Sequence, residues 1–106
     1  MINLDDFKKV ELKIAKIVDV REHPEADRLY IIDVEIGQEK RQLVAGIREH
    51  YKPEDLKGKT VAVVANLEPA TIRGVESNGM ILAASDGETV SVLTTDKDIS
   101  SGSAIK

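Results

Sequence analysis

Polar side chains that could bind a ligand follow an apolar run at residues 61–65, which is suited to a strand buried on both faces. Asn66 ends this run, and a second apolar run begins at Met80. Between them, Arg73 is the only lysine or arginine in residues 60–96. A lone guanidinium favours a phosphate oxygen or a base edge as its partner over a role in solubility. Asn66 could contact the same partner or simply cap its strand.

Short polar groups and a glycine stand together just before the second apolar run. Ser77 and Asn78 provide hydrogen-bond donors beside Gly79, which has no side chain to keep a ligand from the backbone. Met80 would offer a flexible apolar contact to an unstacked base, with a core position as the alternative. We therefore predict a ligand-binding site on a polar loop that is held between two buried strands.

Residue types used in catalysis and metal binding lack the spacing that either chemistry needs. His23 and His50 are the only histidines, and neither belongs to a metal-ligand pattern such as HExxH. Both are predicted to be solvated, one in a turn and one at a helix end. The chain has no cysteine, nucleophile elbow, phosphate-binding glycine loop or dinucleotide fingerprint. We expect no catalytic residue, no metal and no cofactor.

Three ordered blocks of sequence resemble the tRNA-binding domain family. This domain occurs at the C-terminus of methionyl-tRNA synthetases, in free-standing dimeric tRNA-binding proteins and in cofactors of the Arc1p and EMAP II type. The blocks are ELKI at 11–14 with KI at 16–17, HPEADRLY with a following DV and glycine within 23–37, and NL, P and RGVESNGMILAA within 66–84. They extend over nearly the whole chain, which makes the resemblance specific.

The resemblance implies an all-β fold of the oligonucleotide/oligosaccharide-binding (OB) type. We expect a five-stranded Greek-key barrel with a short helix between strands 3 and 4 and a small C-terminal extension. It also implies that residues 1–106 form one tRNA-binding domain and that this domain is a homodimer.

Charge and aromatic content limit how such a domain could bind RNA. The net charge is −4, so any RNA site must be a local basic face. Residues 1–59 hold twelve of the fifteen Lys and Arg side chains. Five of them could form a basic stripe across neighbouring strands: Lys13, Lys16, Arg28, Lys40 and Arg41.

Stacking on aromatic platforms is excluded as the main mode of binding, because the chain has only Phe7, Tyr30 and Tyr51. Recognition of a folded RNA by its shape, phosphates and 2′-hydroxyls fits this composition better than binding of a single strand. Family members commonly carry basic residues between Pro69 and Arg73, where this chain has Ala-Thr-Ile. The expected affinity is therefore weak.

Local patterns predict the remaining elements. An N-terminal helical turn begins after Asn3, with Phe7 closing one end of the core. A bulge interrupts the first strand near residues 16–17, and residues 37–39 close a hairpin between the next two strands, the second of which covers residues 40–45. A helix lies within residues 46–58, with Pro53 in its first turn. A two-residue hairpin is expected within 85–88, and the tail at 95–106 either covers the barrel or frays.

These observations predict a non-catalytic module that binds folded tRNA and supports an aminoacyl-tRNA synthetase, foremost the methionyl enzyme. The alternative is a dimeric export chaperone resembling CsaA, which would hold unfolded peptides in an apolar groove. No run approaches the ~18 apolar residues of a membrane span, so we expect a cytoplasmic protein without a membrane partner. The predicted tRNA contacts are Lys13, Arg28, Asn66, Arg73, Ser77, Asn78 and Met80.

Overall fold

Strands dominate the computed structural model, which describes residues 1–106, because Val, Ile and Thr are concentrated in runs that suit a pleated, half-buried surface. In chain order the elements are α1 (Leu4–Lys8), β1 (Leu12–Glu22), β2 (Tyr30–Ile36), β3 (Glu39–Ala45), α2 (Pro53–Leu56), β4 (Thr60–Val64), β5 (Ala70–Ile72), β6 (Val75–Ser77), β7 (Met80–Ile81), β8 (Ala83–Ser85) and β9 (Val90–Val92). Neither helix has the length and apolar character that crossing a membrane would require.

The main sheet has five antiparallel strands in the order β3-β2-β1-β4-β7. Its two edges approach each other at Gly79, where a Cβ atom would lie 2.9 Å from the Val64 oxygen and 3.1 Å from Leu43 Cδ2. The Asn78 amide donates to the Gln42 oxygen at 2.8 Å across the same gap. The sheet therefore curls into an OB-type barrel with α2 between β3 and β4, which confirms the predicted fold class.

A bulge in β1 lets this strand serve two neighbours. Residues up to Lys16 pair with β4, and residues from Lys16 onward pair with β2. The register with β2 shifts between Ile17 and Asp19, as the broken alternation predicts. The bulge leaves Val18 exposed, while Ile17 is fully buried.

The core is filled from β1 to β4 and α2, and its most buried large side chains are Ile17, Ile32, Val34, Leu43, Leu56, Val61 and Val63. The prediction that Phe7 closes this core is wrong, because the ring is 43% exposed and α1 has no buried residue. Five residues capped by Asn3, whose Oδ1 accepts from the Asp6 amide at 2.8 Å, form a helix by local interactions alone. Such a cap does not require the helix to pack on the barrel.

The prediction that the second apolar run forms one buried strand is wrong. It divides into β7 and β8, and Met80, Ala83 and Ala84 are exposed. The chain changes partner at Leu82, whose amide donates to the Ala62 oxygen at 2.9 Å before β8 pairs with β9. Apolar character alone does not reveal this change, since the exposed Ala83 and Ala84 are as apolar in type as residues of a buried strand.

The predicted polar loop is itself a hairpin of β5 and β6. Arg73 and Gly74 form its two-residue turn and both have positive φ, 52° and 87°. A type I′ turn requires this geometry at both positions. Arg73 therefore stands at the tip of a hairpin that forms a sheet separate from the main one.

The last hairpin and the tail complete the fold. Ser85 pairs with Val90, so the connection has four residues rather than the predicted two. Asp86 Oδ1 holds this loop by accepting from the Glu88 and Thr89 amides at 2.9 and 2.8 Å, which lowers the pKa of its carboxyl. The tail covers the barrel, since the Ile105 amide donates to the Leu12 oxygen at 2.9 Å.

Candidate nucleic-acid interface

The base of the β5–β6 hairpin is fixed to β3 by side-chain hydrogen bonds. Ser77 Oγ accepts from the Val44 amide at 2.9 Å and donates to the Gly79 oxygen at 3.1 Å. Gln42 Nε2 donates to the Glu76 oxygen at 2.9 Å. Ser77 is 4% exposed and borders the wall of a groove, and its hydroxyl is used inside the fold. The sequence pattern suggests a direct contact with RNA, and in the fold both hydrogen bonds of this hydroxyl go to backbone groups.

The tip of the hairpin is held by the loop between β1 and β2. Arg73 Nη2 donates to the Glu25 oxygen at 3.1 Å, and His23 Nε2 lies 3.2 Å from the Ile72 oxygen. The prediction that His23 is a solvated turn residue is wrong, because it is 3% exposed. Residues far away in the chain bury this ring, and the sequence around it carries no signal of that packing.

Two predicted contacts meet at this tip. Arg28 and Arg73 border one cleft of about 420 Å³, together with the acidic residues Glu25 and Asp27. Arg28 is highly exposed, and its Nε pairs with Glu49 at 3.0 Å. An ion pair at this exposure is weak, so the guanidinium can exchange Glu49 for another anion.

A second cleft, of about 310 Å³, lies beside the start of β3 and includes Lys40, Arg41, Pro69 and Asn78 in its wall. Arg41 donates through Nη1 to the Ala65 oxygen and through Nε to Glu39 at 2.8 Å. The hydrogen bond and the charge of Arg41 lower the pKa of the Glu39 carboxyl. Arg41 is thus committed to the fold, which leaves Lys40 and Asn78 as the groups of this cleft that are free to bind.

The predicted basic stripe is not continuous. Lys16 and Lys40 both pair in register with Glu35, which stands between them on β2. Lys13 Nζ lies 3.3 Å from a carboxylate oxygen of Glu11. The antiparallel register places Glu35 between these two lysines, and a count of charges along the chain cannot detect this arrangement.

Asn66 has the capping role that was one of its two alternatives. Its Oδ1 accepts from the Glu11 amide at 2.8 Å, and its Nδ2 donates to the Lys9 oxygen at 2.7 Å. Asn66 therefore ties the segment before β1 to the end of β4. Both polar ends of the side chain already have a partner.

Met80 is 46% exposed and lies on an apolar groove that sequence analysis did not find. The groove has a volume of about 430 Å³. Its apolar walls include Val44, Ile47, Leu67, Ile72, Met80 and Ile81. It runs along the inner side of the β5–β6 hairpin, so any ligand of the hairpin also lies close to an apolar surface.

A small curled antiparallel sheet that carries an exposed arginine at the tip of a separate hairpin defines an OB-type binding module. The chain belongs to the tRNA-binding domain family: the profile of the family described as "Putative tRNA binding domain" matches residues 12–104. This match confirms the resemblance that the three sequence blocks indicated. No three His, Asp or Glu side chains lie close enough together to hold a metal ion.

The relatives include enzymes and free-standing proteins. The chain is 51% identical over 105 residues to the methionine–tRNA ligase of Thermococcus kodakarensis. This match covers 99% of the chain but only 14% of the ligase. Among solved structures, a MetRS related protein from Pyrococcus horikoshii has a TM-score of 0.93 and 28% identity, covering 100% of this chain and 98% of that one. The CsaA chaperone protein of Picrophilus torridus has a TM-score of 0.92 and 28% identity, with 100% of both chains covered.

Proposed function

We propose that the chain is a non-catalytic module that binds folded tRNA and supports an aminoacyl-tRNA synthetase, foremost the methionyl enzyme. The observation that carries the proposal is the family match over residues 12–104. The ligase of T. kodakarensis, at 51% identity, points to the methionyl enzyme. The module acts in the cytoplasm, where tRNA is charged.

Shape and backbone contacts are the mode of binding that the surface supports. Tyr30 is buried and donates to the Tyr51 oxygen at 2.6 Å, while the Tyr51 hydroxyl accepts from the Val92 amide at 3.0 Å. Neither ring is thus free to stack on a base. Arg28 and Arg73 are exposed around one cleft and suit phosphate oxygens, which carry no sequence information.

Weak binding is sufficient if the module is tethered. Several exposed basic side chains stand beside acids, as Lys16 and Lys40 do beside Glu35, so each module makes few phosphate contacts. A synthetase that holds the module close to its own tRNA site raises the effective concentration of the RNA, which increases affinity without any new contact.

A homodimer is the assembly we propose, as the family resemblance implies. The apolar residues Ile2, Leu4, Phe7 and Val10 are exposed on and beside α1, and a second copy would bury them. The late strands offer less exposed apolar surface, because Val92 belongs to the core and Ile81, Leu82 and Val90 are half-buried. Sedimentation at micromolar concentration should show a dimer that survives high salt, and a species of 11.6 kDa alone would contradict it.

The second candidate function is peptide binding by a chaperone of the CsaA type. The apolar groove beside Met80, with a volume of about 430 Å³, could hold an apolar side chain of an unfolded peptide. The similarity to the P. torridus CsaA structure favours this function as much as the similarity to the MetRS related protein favours the first. The family match and the ligase relatives favour tRNA.

A titration with three ligands separates the two functions. Filter binding would compare tRNA, an unstructured RNA of the same length and an unfolded peptide at two salt concentrations. We expect micromolar binding of tRNA that weakens with salt, and weaker binding of the other two. Equal affinity for both RNAs contradicts recognition of shape, and binding of the peptide alone assigns the chain to the second function.

Arg73→Asn tests the contact itself. Asparagine tolerates the positive φ of 52° at this turn position, so the substitution removes the charge without straining the backbone. Loss of a charge-assisted hydrogen bond should weaken tRNA binding by about 1–2 kcal/mol, while unfolding stays unchanged. Lys97→Ala, at an exposed site in the tail, is the control and should change neither. A destabilised Arg73→Asn protein with unaltered affinity would instead assign this arginine to structure.

A further inference from the structure

His23 joins two segments that no strand pairing connects. It begins the loop between β1 and β2, and its Nε2 lies 3.2 Å from the oxygen of Ile72, the last residue of β5. The strands β5 and β6 have three residues each and form a separate two-stranded sheet. A hairpin of this size is marginally stable by itself, so the position of its tip depends on its anchors.

The hydrogen bonds define one neutral form of the His23 ring. Nδ1 accepts from the Glu25 amide at 3.0 Å, so this nitrogen carries no proton. The proton is therefore on Nε2, which donates to the Ile72 oxygen. Both ring nitrogens have a backbone partner, and the ring is 3% exposed.

The loop that holds His23 is fixed from its other side. Arg48 Nη1 donates to the Ala26 oxygen at 3.2 Å and to the His23 oxygen at 3.4 Å, and its Nη2 pairs with Glu22. The His23 amide also donates to the Leu29 oxygen at 3.2 Å. The loop is therefore rigid, and the His23 side chain connects it to the hairpin by its contact with the Ile72 oxygen.

We propose that His23 is a positioning residue for RNA binding: its Nε2–H bond to Ile72 sets the hairpin tip so that Arg73 and Arg28 face the same phosphate backbone. This inference rests on the proposed function, because it assumes that the tip contacts RNA. The second bond at the tip, from Arg73 to the Glu25 oxygen, uses the guanidinium that RNA would engage. His23 is therefore the anchor that remains when RNA is bound.

Two substitutions test the two hydrogen bonds of the His23 ring separately. His23→Gln places an amide N–H where Nε2 stood and keeps the donor to Ile72, but it loses the acceptor for Glu25. His23→Asn keeps an acceptor at the level of Nδ1 but is too short to reach Ile72. We expect the affinity for tRNA to fall about 3- to 10-fold in His23→Asn and by less than about 2-fold in His23→Gln, as for one hydrogen bond.

Amide NMR spectra measure the position of the hairpin tip in the absence of RNA. In ¹⁵N-labelled protein, the resonances of Arg73 and Gly74 should shift or broaden in His23→Asn and stay near their original positions in His23→Gln. Thermal unfolding of both variants separates a general loss of stability from a displaced tip. If His23→Asn does not fold, the imidazole ¹⁵N spectrum of the unmodified protein decides, since a proton on Nδ1 would overturn the proposal.

The failures of the two proposals are distinguishable. If the unmodified protein binds tRNA and Arg73→Asn weakens binding, but the two His23 variants have equal affinities, the proposed function stands and the role of His23 is overturned. If the unmodified protein does not bind tRNA, the proposed function fails, and the amide spectra still decide whether His23 sets the hairpin tip.

Discussion

Replacement of Gly79 by alanine tests the point at which the barrel closes. The backbone of Gly79 has φ of 129°, a conformation that a residue with a side chain rarely adopts. The added Cβ atom would also lie 2.9 Å from the Val64 oxygen and 3.1 Å from Leu43 Cδ2. Gly79→Ala therefore combines a strained backbone with a collision of the added methyl group against Val64 of β4 and Leu43 of β3.

The two costs can be estimated separately. A residue held in a sparsely populated backbone region costs about 1–3 kcal/mol, and overpacking a tight site adds about 1–3 kcal/mol. Their sum, about 2–6 kcal/mol, is a large part of the roughly 5–15 kcal/mol by which small domains are stable. Gly87→Ala is the matched control, because Gly87 has φ of 98° and nothing within 4 Å of an added Cβ atom. The control should lose only the backbone contribution.

Urea unfolding followed by circular dichroism measures both variants under one set of conditions. We expect both midpoints to fall, with Gly79→Ala losing about 1–3 kcal/mol more than Gly87→Ala at an unchanged slope. Gly79→Ala should also weaken tRNA binding by displacing Asn78 and Met80, while Gly87→Ala should not. Equal losses of stability in the two variants would refute the reasoning, since they would mean that Val64 and Leu43 move away from the added methyl group at no cost in free energy.

Two further substitutions test the groups that shape the interface. Ser77→Ala leaves the buried Val44 amide without a partner, so it should cost about 1–3 kcal/mol of unfolding free energy and leave the tRNA affinity of the folded protein unchanged, with exposed Ser91→Ala as the control. A loss of affinity without a loss of stability would restore Ser77 as a direct contact. Arg41→Gln should raise the pKa of Glu39, which Arg41 now lowers, and ¹³C titration of the carboxyl measures this change. Because the pKa of Glu39 in the folded protein lies below its ordinary value, the ionised carboxylate contributes a small stabilisation at pH values above that ordinary value. This stabilisation is lost as the pH falls through the folded pKa, so Arg41→Gln should reduce the acid-dependent loss of stability. An unaltered titration of Glu39 would show that Arg41 does not act on its carboxyl.

The sequence alone determined those features that depend on neighbouring residues. Asn3 caps the first helix and Pro53 begins the second, as their residue types predict. The hairpin after Ile36 and the bulge in β1 were also predicted, because each follows from the alternation of apolar residues on either side; the hairpin turn has two residues, one fewer than the predicted 37–39. Together with the ordered blocks, these signals were sufficient for the OB fold and the family.

The binding surface depended on contacts that the local pattern does not contain. His23 and Ile72 are 49 positions apart, and Asn66 and Lys9 are 57 apart, yet these pairs decide that one ring is buried and one amide is used as a cap. The roles of Arg28 and Arg73 as RNA contacts stay predictions, although the fold brings both to one cleft. Periodicity reports only which face of a strand is apolar. Which distant polar group meets that face is decided by how the barrel closes, and only the tertiary structure contains this information.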